Sequence, residues 1–200
     1  KYLLPFSHDE NVHGKATILQ KMNGDYEGKF PQGRALYLYM YAHPGKKLNF
    51  MGGEIGQLRE WDEKRQQDWE LLSYPNHDAF HHFMMELNKV YAANPAFYEK
   101  DYDRDGFRWL DCHQEGRCIY TFERRSKDQR LLAVFNFSDQ KQEHYQVAVP
   151  GAKMIKPLLS TDWKIYGGGK AVSKRRKKVA KGVAEFTLAP FSGEIYVIEE

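Results

Sequence analysis

The apolar pattern of this chain changes its period once, near residue 104, and nothing else in the sequence limits the fold as much. Before that point Phe80, Phe83, Met84, Leu87, Val90 and Tyr91 fall at offsets 0, 3, 4, 7, 10 and 11. That is the spacing of one buried face of an α-helix. Asn76 reads as its N-cap, and Asn94-Pro95 ends it near Ala93. After residue 104 the pattern becomes short β-forming runs separated by turn residues. They cover 107–110, 117–124, 130–137, 144–149, 154–159, 183–188 and 194–198. Seven short runs with turns between them predict an antiparallel β-sandwich.

The first hundred residues read differently. Residues 2–7 are apolar and predict a buried strand. A polar stretch punctuated by glycines follows, from Glu10 to Gly33, with a short helix expected around 17–21. Loops of that length in compact domains are functional or mobile. Proline suits a first helical turn, so a helix is predicted over 31–42, with Ala35, Leu38, Tyr39 and Ala42 on one face. His43-Pro44-Gly45 stops it. Residues 47–51 read as a second strand with Gly52-Gly53-Glu54 at its end. The order strand, loop, helix, strand is a βαβ unit.

The apolar start of the chain runs directly into Ser7-His8-Asp9-Glu10. In a parallel barrel, polar residues at the C-terminal end of a strand are where chemistry is placed. Equally, such residues open a surface loop or cap a helix.

Several words in the same order carry a resemblance. They are Ser7-His8-Asp9-Glu10, Val12-His13-Gly14-Lys15, Ala42-His43-Pro44-Gly45-Lys46-Lys47-Leu48, Phe50-Met51-Gly52-Gly53-Glu54, Gly56-Gln57, Arg59-Glu60-Trp61 and Asp68-Trp69. With them the chain resembles the last part of bacterial glycogen (1,4-α-glucan) branching enzymes, members of the α-amylase superfamily. It departs from the pattern at Asn11, Ala16-Thr17-Ile18 and Leu58. The resemblance implies an α/β plus all-β fold: residues 1–103 as the last two strand-helix units of a (β/α)8 barrel, then residues 104–200 as a C-terminal β-sandwich. Leu188-Ala189-Pro190-Phe191-Ser192-Gly193 resembles the closing turn of that second domain.

The resemblance also implies roles. Asp9 matches the carboxylate that grips sugar hydroxyls as the ring distorts toward an oxocarbenium-like transition state. Charge-assisted bonds to hydroxyls are short and strong, and one that tightens as the ring flattens lowers the barrier. His8 matches the histidine that donates to a neighbouring hydroxyl, and His13 and Lys15 line the same site. Transfer with retention needs two more carboxyl groups, a nucleophile and an acid/base. The family carries these on earlier barrel strands, so neither is assigned in this chain. Adjacent residues on an extended chain point to opposite faces, so Glu10 does not replace them. Glu54 is read either as support for substrate or as a structural hydrogen bond in the rim.

The chain holds 13 Tyr, 12 Phe and 4 Trp. Rings of this kind stack on sugars but also build β-rich cores, and core is the default. Tyr39 lies on a helical stripe and reads as core, and Tyr41 and Trp69 are weaker stacking candidates. Trp61, in a loop, is the better surface candidate for glucan.

His77 and His81 stand four apart, with His82 next to them. The spacing suits zinc, but Asp78 occupies the place where the metalloprotease motif needs Glu, so a surface helix face is the reading and no metal is expected. Cys112 and Cys118 are too few for a disulfide framework, and free thiols in a reducing cytoplasm follow. No apolar run suits a membrane span.

The formal charge of +3 is local. Lys174, Arg175, Arg176, Lys177, Lys178 and Lys181 alone turn it from −3. Flanked by Gly167-Gly168-Gly169 and Gly182 and lacking aromatics, this run reads as an exposed hairpin loop rather than a nucleic-acid site. The expected partners are an α-1,4-glucan such as glycogen or amylose and the remainder of the barrel upstream. No nucleic acid, membrane or cofactor is expected, because the chemistry is acid-base and nucleophilic. The competing readings are a non-catalytic glucan-binding or structural module and a fragment of an α-amylase-type hydrolase.

Overall fold

A computed structural model describes residues 6–200. Two helices, α1 (Tyr26–Ala42) and α2 (Pro75–Ala93), precede eight strands: β1 (Phe107–Gln114), β2 (Ile119–Arg125), β3 (Arg130–Asn136), β4 (Gln142–Ala148), β5 (Met154–Ser160), β6 (Lys177–Lys178), β7 (Val183–Leu188) and β8 (Ser192–Glu199). One sheet has the order β1-β2-β3-β8-β5-β6, and β4 and β7 pair as a second. Every ladder is antiparallel. The sandwich expected after residue 104 is present.

The six-stranded sheet is covered on both faces, and the alternation along β3 shows how. Leu131, Ala133 and Phe135 enter a core shared with the helices, against Leu38, Phe80 and Phe83. Leu132 and Val134 face the other way, against Val147, Phe186 and Leu188 of the small sheet. Side chains alternate along a strand, so only an uninterrupted apolar run can satisfy two cores. Leu131–Phe135 is such a run. The layers are therefore helices, large sheet and small sheet, and the helical core passes without interruption across residue 104.

α2 ends where expected, with Asn94 as its C-cap, but it starts two residues early: Tyr74, not Asn76, is its N-cap, and Pro75 opens its first turn, where a missing N–H costs nothing. α1 begins at Tyr26, five residues ahead of the predicted Pro31. The side chain of Asp25 accepts the Gly28 N–H at 2.9 Å and sets the start. Pro31 sits inside the helix and gives up one backbone bond there. Residues 17–21 make hydrogen-bonded turns rather than the expected short helix, with Lys21 N–H on the Thr17 carbonyl.

The βαβ unit is not formed among the described residues. The expected strand over 2–7 lies largely outside them, at 2–5. Residues 46–50 belong to no ladder. Among the described residues, Phe6 N–H donates to the Leu48 carbonyl at 3.1 Å.

The basic run is exposed as expected but is not wholly a loop. Lys177 and Lys178 form β6 and pair with Ile155 and Met154 on β5. Lys177 Nζ lies 5.3 Å over the Phe186 ring and 5.2 Å over Tyr196, and Lys174 Nζ lies 4.5 Å over Trp163. Long basic side chains cover apolar surface with their stems, and here ammonium groups also meet ring faces.

Neither cysteine joins a disulfide among the described residues. No helix among them is long and apolar enough to cross a membrane.

Candidate functional site

His8, Asp9 and Glu10 form one 3-10 turn directly after the bond from Phe6 to Leu48. Ser7 caps it. The Ser7 backbone N–H donates to Glu10 Oε2 at 2.6 Å, and the Ser7 hydroxyl donates to the same oxygen at 2.9 Å. This is a capping box, with the carboxylate turned back on the turn's start. The bonds from Ser7 hold the Glu10 carboxyl below the usual carboxylate range. Glu10 is thus occupied as a cap.

Asp9 and His8 project from the turn, with side chains 66% and 60% exposed. Asp9 Oδ1 lies 3.2 Å from His8 Nε2. The pair offers an acceptor and an imidazole side by side, which is what two neighbouring sugar hydroxyls require. The His8 ring is 6.1 Å from Phe50, and Phe50 meets Trp61 edge-on at 5.5 Å. One ring therefore connects His8 to Trp61, which is half-buried and donates its backbone N–H to the Asn11 carbonyl.

Glu60 fixes the adjoining loop. Its carboxylate accepts the Gly14 N–H at 2.9 Å and the Ala16 N–H at 2.7 Å. His13 and Ala16 have φ of 60° and 63°, which L-residues adopt at a cost of about 1–2 kcal/mol each. The two N–H groups on Glu60 hold that shape and leave His13 and Lys15 exposed beside it. Those same bonds keep the Glu60 carboxyl below the usual range. Arg59 braces the loop from behind, placing Nε and Nη2 on Asp68 Oδ1 at 3.2 and 2.8 Å.

Two carboxylates near Asp9 in the chain or on its loop, Glu10 and Glu60, are thus bound as hydrogen-bond acceptors and have lowered pKa values. A general acid needs the opposite shift. The cavity behind Trp61, lined by Asn11, Gly52, Gln57 and Arg59, measures about 10 Å³, less than one water requires.

Glu54 lies in the turn Gly53–Ile55, and its carboxylate has no hydrogen bond to a described residue. Its carbonyl accepts from His81 Nδ1 at 3.3 Å. Tyr41 is buried and donates to Asn88 Oδ1, and Tyr39 packs among Phe122, Phe135 and Phe137. Trp69 is 50% exposed.

The surface reading of the histidine face needs correction at His77. It is buried, and its Nδ1–H donates to the Ile55 carbonyl at 2.8 Å. Burial lowers its pKa. The helix stripe runs one residue wider than the apolar letters show, because an imidazole with a satisfied N–H tolerates burial. No three His, Cys, Asp or Glu among the described residues could share a metal ion.

Sequence reasoning did not single out the Glu60 carboxylate or Phe50. Both lie within the quoted words Arg59-Glu60-Trp61 and Phe50-Met51-Gly52-Gly53-Glu54, but a word does not say which atoms meet.

A family model described as the α-amylase C-terminal all-β domain matches residues 109–199. Its span runs from inside β1 to the end of β8 and contains both sheets. The helical layer lies outside the all-β match but inside a longer similarity. The chain is 41% identical over 193 residues to the 1,4-alpha-glucan branching enzyme GlgB of Aquifex aeolicus (strain VF5), covering 94% of this chain and 31% of that protein. It is 39% identical over 203 residues to the same-named enzyme of Bacillus cereus (strain AH820), covering 97% of this chain and 32% of that protein. For Oceanobacillus iheyensis the identity is 41% over 175 residues, 86% and 28%. The resemblance read from the words of residues 7–69 is borne out. The chain spans about a third of the length of these relatives.

Proposed function

We propose that this chain is the part of a 1,4-α-glucan branching enzyme that contributes the transition-state carboxylate and carries the C-terminal β-domain. The carrying observation is the 41% identity to a branching enzyme over 94% of the chain. The full reaction cuts an α-1,4 link, holds the glucan piece on a carboxylate, and passes it to a 6-hydroxyl. Asp9 and His8 grip hydroxyls of the sugar at the cleaved bond, with His13, Lys15 and Trp61 along the same surface and Glu54 at the rim. The exposed Asp9–His8 pair supports this, since it is the one carboxylate of that turn not consumed by capping. Residues 1–103 act as the barrel-derived part and 104–200 as the β-domain, in a cytoplasmic enzyme without cofactor.

The nucleophile and acid/base come from the two-thirds of the relatives that this chain does not match. The 200-residue chain is therefore inactive by itself. A branching assay on amylose, scoring α-1,6 linkages by NMR, tests this. Branches formed by the purified chain and abolished by Asp9→Asn would overturn it.

A second reading is favoured by the shared core: the β-domain packs the helices and serves as a structural module. Retardation in glycogen-containing native gels with no change in linkage would support it.

A further inference from the structure

Arg34 is buried in α1, 3% exposed, yet it has no carboxylate within ion-pair range. Its Nε donates to the Thr161 carbonyl at 2.9 Å. Its two terminal nitrogens have no hydrogen-bond partner among the described residues. A guanidinium carries five N–H donors, and leaving four of them unpaired in a dry site would be costly. They are not in a dry site. Arg34 lines a pocket of about 220 Å³ where α1 meets the loops of the β-domain. A Cβ built on Gly167 would lie 3.8 Å from Arg34 Nη1, so the fork faces that glycine turn.

Asp162 lines the same pocket. Its Oδ1 accepts the Gly169 N–H at 2.8 Å, which leaves the other oxygen available. Asp162 stands beyond ion-pair distance from Arg34 but close enough to raise the guanidinium pKa, while burial lowers it to about 10. Arg34 is thus cationic at neutral pH. Pro31, Pro190 and Phe191 supply apolar walls, and Thr161 and Ser192 add polar ones. Phe191 is held at φ 46°, a conformation an L-residue keeps only under constraint, with its N–H on the Ser138 carbonyl.

The gap between a donor fork and a carboxylate selects the ligand. An anion would gain Arg34 but meet Asp162 in the same space. A hydroxyl uses both, accepting from Arg34 and donating to Asp162. The apolar walls suit the C–H face of a ring. The volume is below the range of roughly 300–1,000 Å³ for drug-sized ligands and fits one ring. We infer that this pocket binds a pyranose unit of an α-glucan through Arg34 and Asp162, against Pro190 and Phe191. The choice of an α-glucan, rather than another polyol, rests on the branching-enzyme reading.

The test is a ¹H–¹⁵N NMR titration of the 200-residue chain with maltotriose, up to about 50 mM. Shifts are expected at the Gly167–Gly169 amides and at Arg34 Nε–H. Asp162→Asn keeps an oxygen for Gly169 and should weaken binding at least about tenfold; Arg34→Lys, which loses the fork, should do the same. Shifts confined to residues around Asp9 and Trp61 would overturn the pocket and leave the glucan reading intact. Shifts at Gly167–Gly169 with inorganic phosphate and none with maltotriose would make it an anion site and overturn the proposal. Unchanged affinity in a folded Asp162→Asn chain would also overturn it. Silence at every amide would do so as well, leaving the branching assay to decide the glucan reading separately.

Discussion

Arg124 Nη2 lies 2.5 Å from Asp101 Oδ1, with the arginine side chain wholly buried and the aspartate nearly so. The guanidinium also donates to the carbonyls of Ala42, Phe97 and Gly106 at 2.7, 2.7 and 3.2 Å. It thereby ties the end of α1, the turn after α2 and the approach to β1 to the end of β2. Asp101→Asn leaves a buried cation without its counter-charge. About 3–5 kcal/mol of stability should be lost, read as a lower urea midpoint. Arg124→Met combined with Asp101→Asn should cost less than the two single changes added together. Strict additivity would show that the two groups are not coupled.

Gly106 should tolerate no side chain. A Cβ there would lie 2.0 Å from the Lys100 carbonyl oxygen, a backbone atom that cannot swing away. Gly106→Ala is expected to cost about 1–3 kcal/mol. It should also displace the carbonyl that accepts from Arg124 Nε, visible as a shift of that Nε–H resonance. A thermal midpoint equal to that of the unaltered chain would refute this.

Glu123 is fully buried beside Arg124 and takes hydrogen bonds from Arg125 and Arg130 on Oε1 and from Arg108 and Arg125 on Oε2. Burial alone would raise its carboxyl, but the arginine bonds outweigh it and hold the pKa below 4.5. A depressed native value means stability present above the unfolded value and lost as pH falls through the native one. Glu123→Gln should therefore lower stability at pH 7 by about 1–3 kcal/mol. It should also flatten the acid limb of stability below about pH 4.5. An acid limb of unchanged slope would exclude Glu123 as its source.

Glu60 clamps the loop that carries His13 and Lys15. Glu60→Ala should speed hydrogen exchange of the Gly14 and Ala16 amides by roughly 3- to 10-fold, while amides of β3 stay protected. The sign with pH is the same as for Glu123: the clamp holds above the ordinary carboxylate value and weakens as the lowered pKa is crossed from above. Exchange at Gly14 indifferent to the substitution would mean that the loop holds its shape without the clamp.

Asp9→Asn should leave the fold untouched, since the Asp9 side chain is exposed and among the described residues meets only His8. Its thermal midpoint should match that of the unaltered chain within about 0.5 kcal/mol of stability. A large loss would move Asp9 from substrate contact to structural support.

Much of the secondary structure was legible. β3 was expected over 130–137 and occupies Arg130–Asn136, and α2 was placed within two residues of its start and at its end. These elements are encoded by local period and by terminal residues, which a linear reading contains. α1 starts at Tyr26 rather than at Pro31 because the Asp25 side chain caps it, and a cap sets a helix start more firmly than a tolerated proline. The expected strand at 2–7 lies largely outside the described residues, and 47–51 joins no ladder among them. At the candidate site, the words containing His8, Asp9 and Trp61 were visible. The Phe50 ring between them and the grip of Glu60 were not, since both depend on loops meeting across the fold.

By itself the sequence determined that a helical segment is followed by a β-rich one, where most strands lie, and which family the words resemble. Each of those is a property of residues close together in the chain. Only the tertiary structure decided that the last strand, β8, lies between β3 and β5, and that the large sheet is buried on both faces. It also decided that Arg124 reaches the Ala42 carbonyl 82 positions away, and that Arg34 opens into a pocket. Such contacts arise from burying two apolar faces at once, and the free energy of that burial belongs to no single stretch of chain.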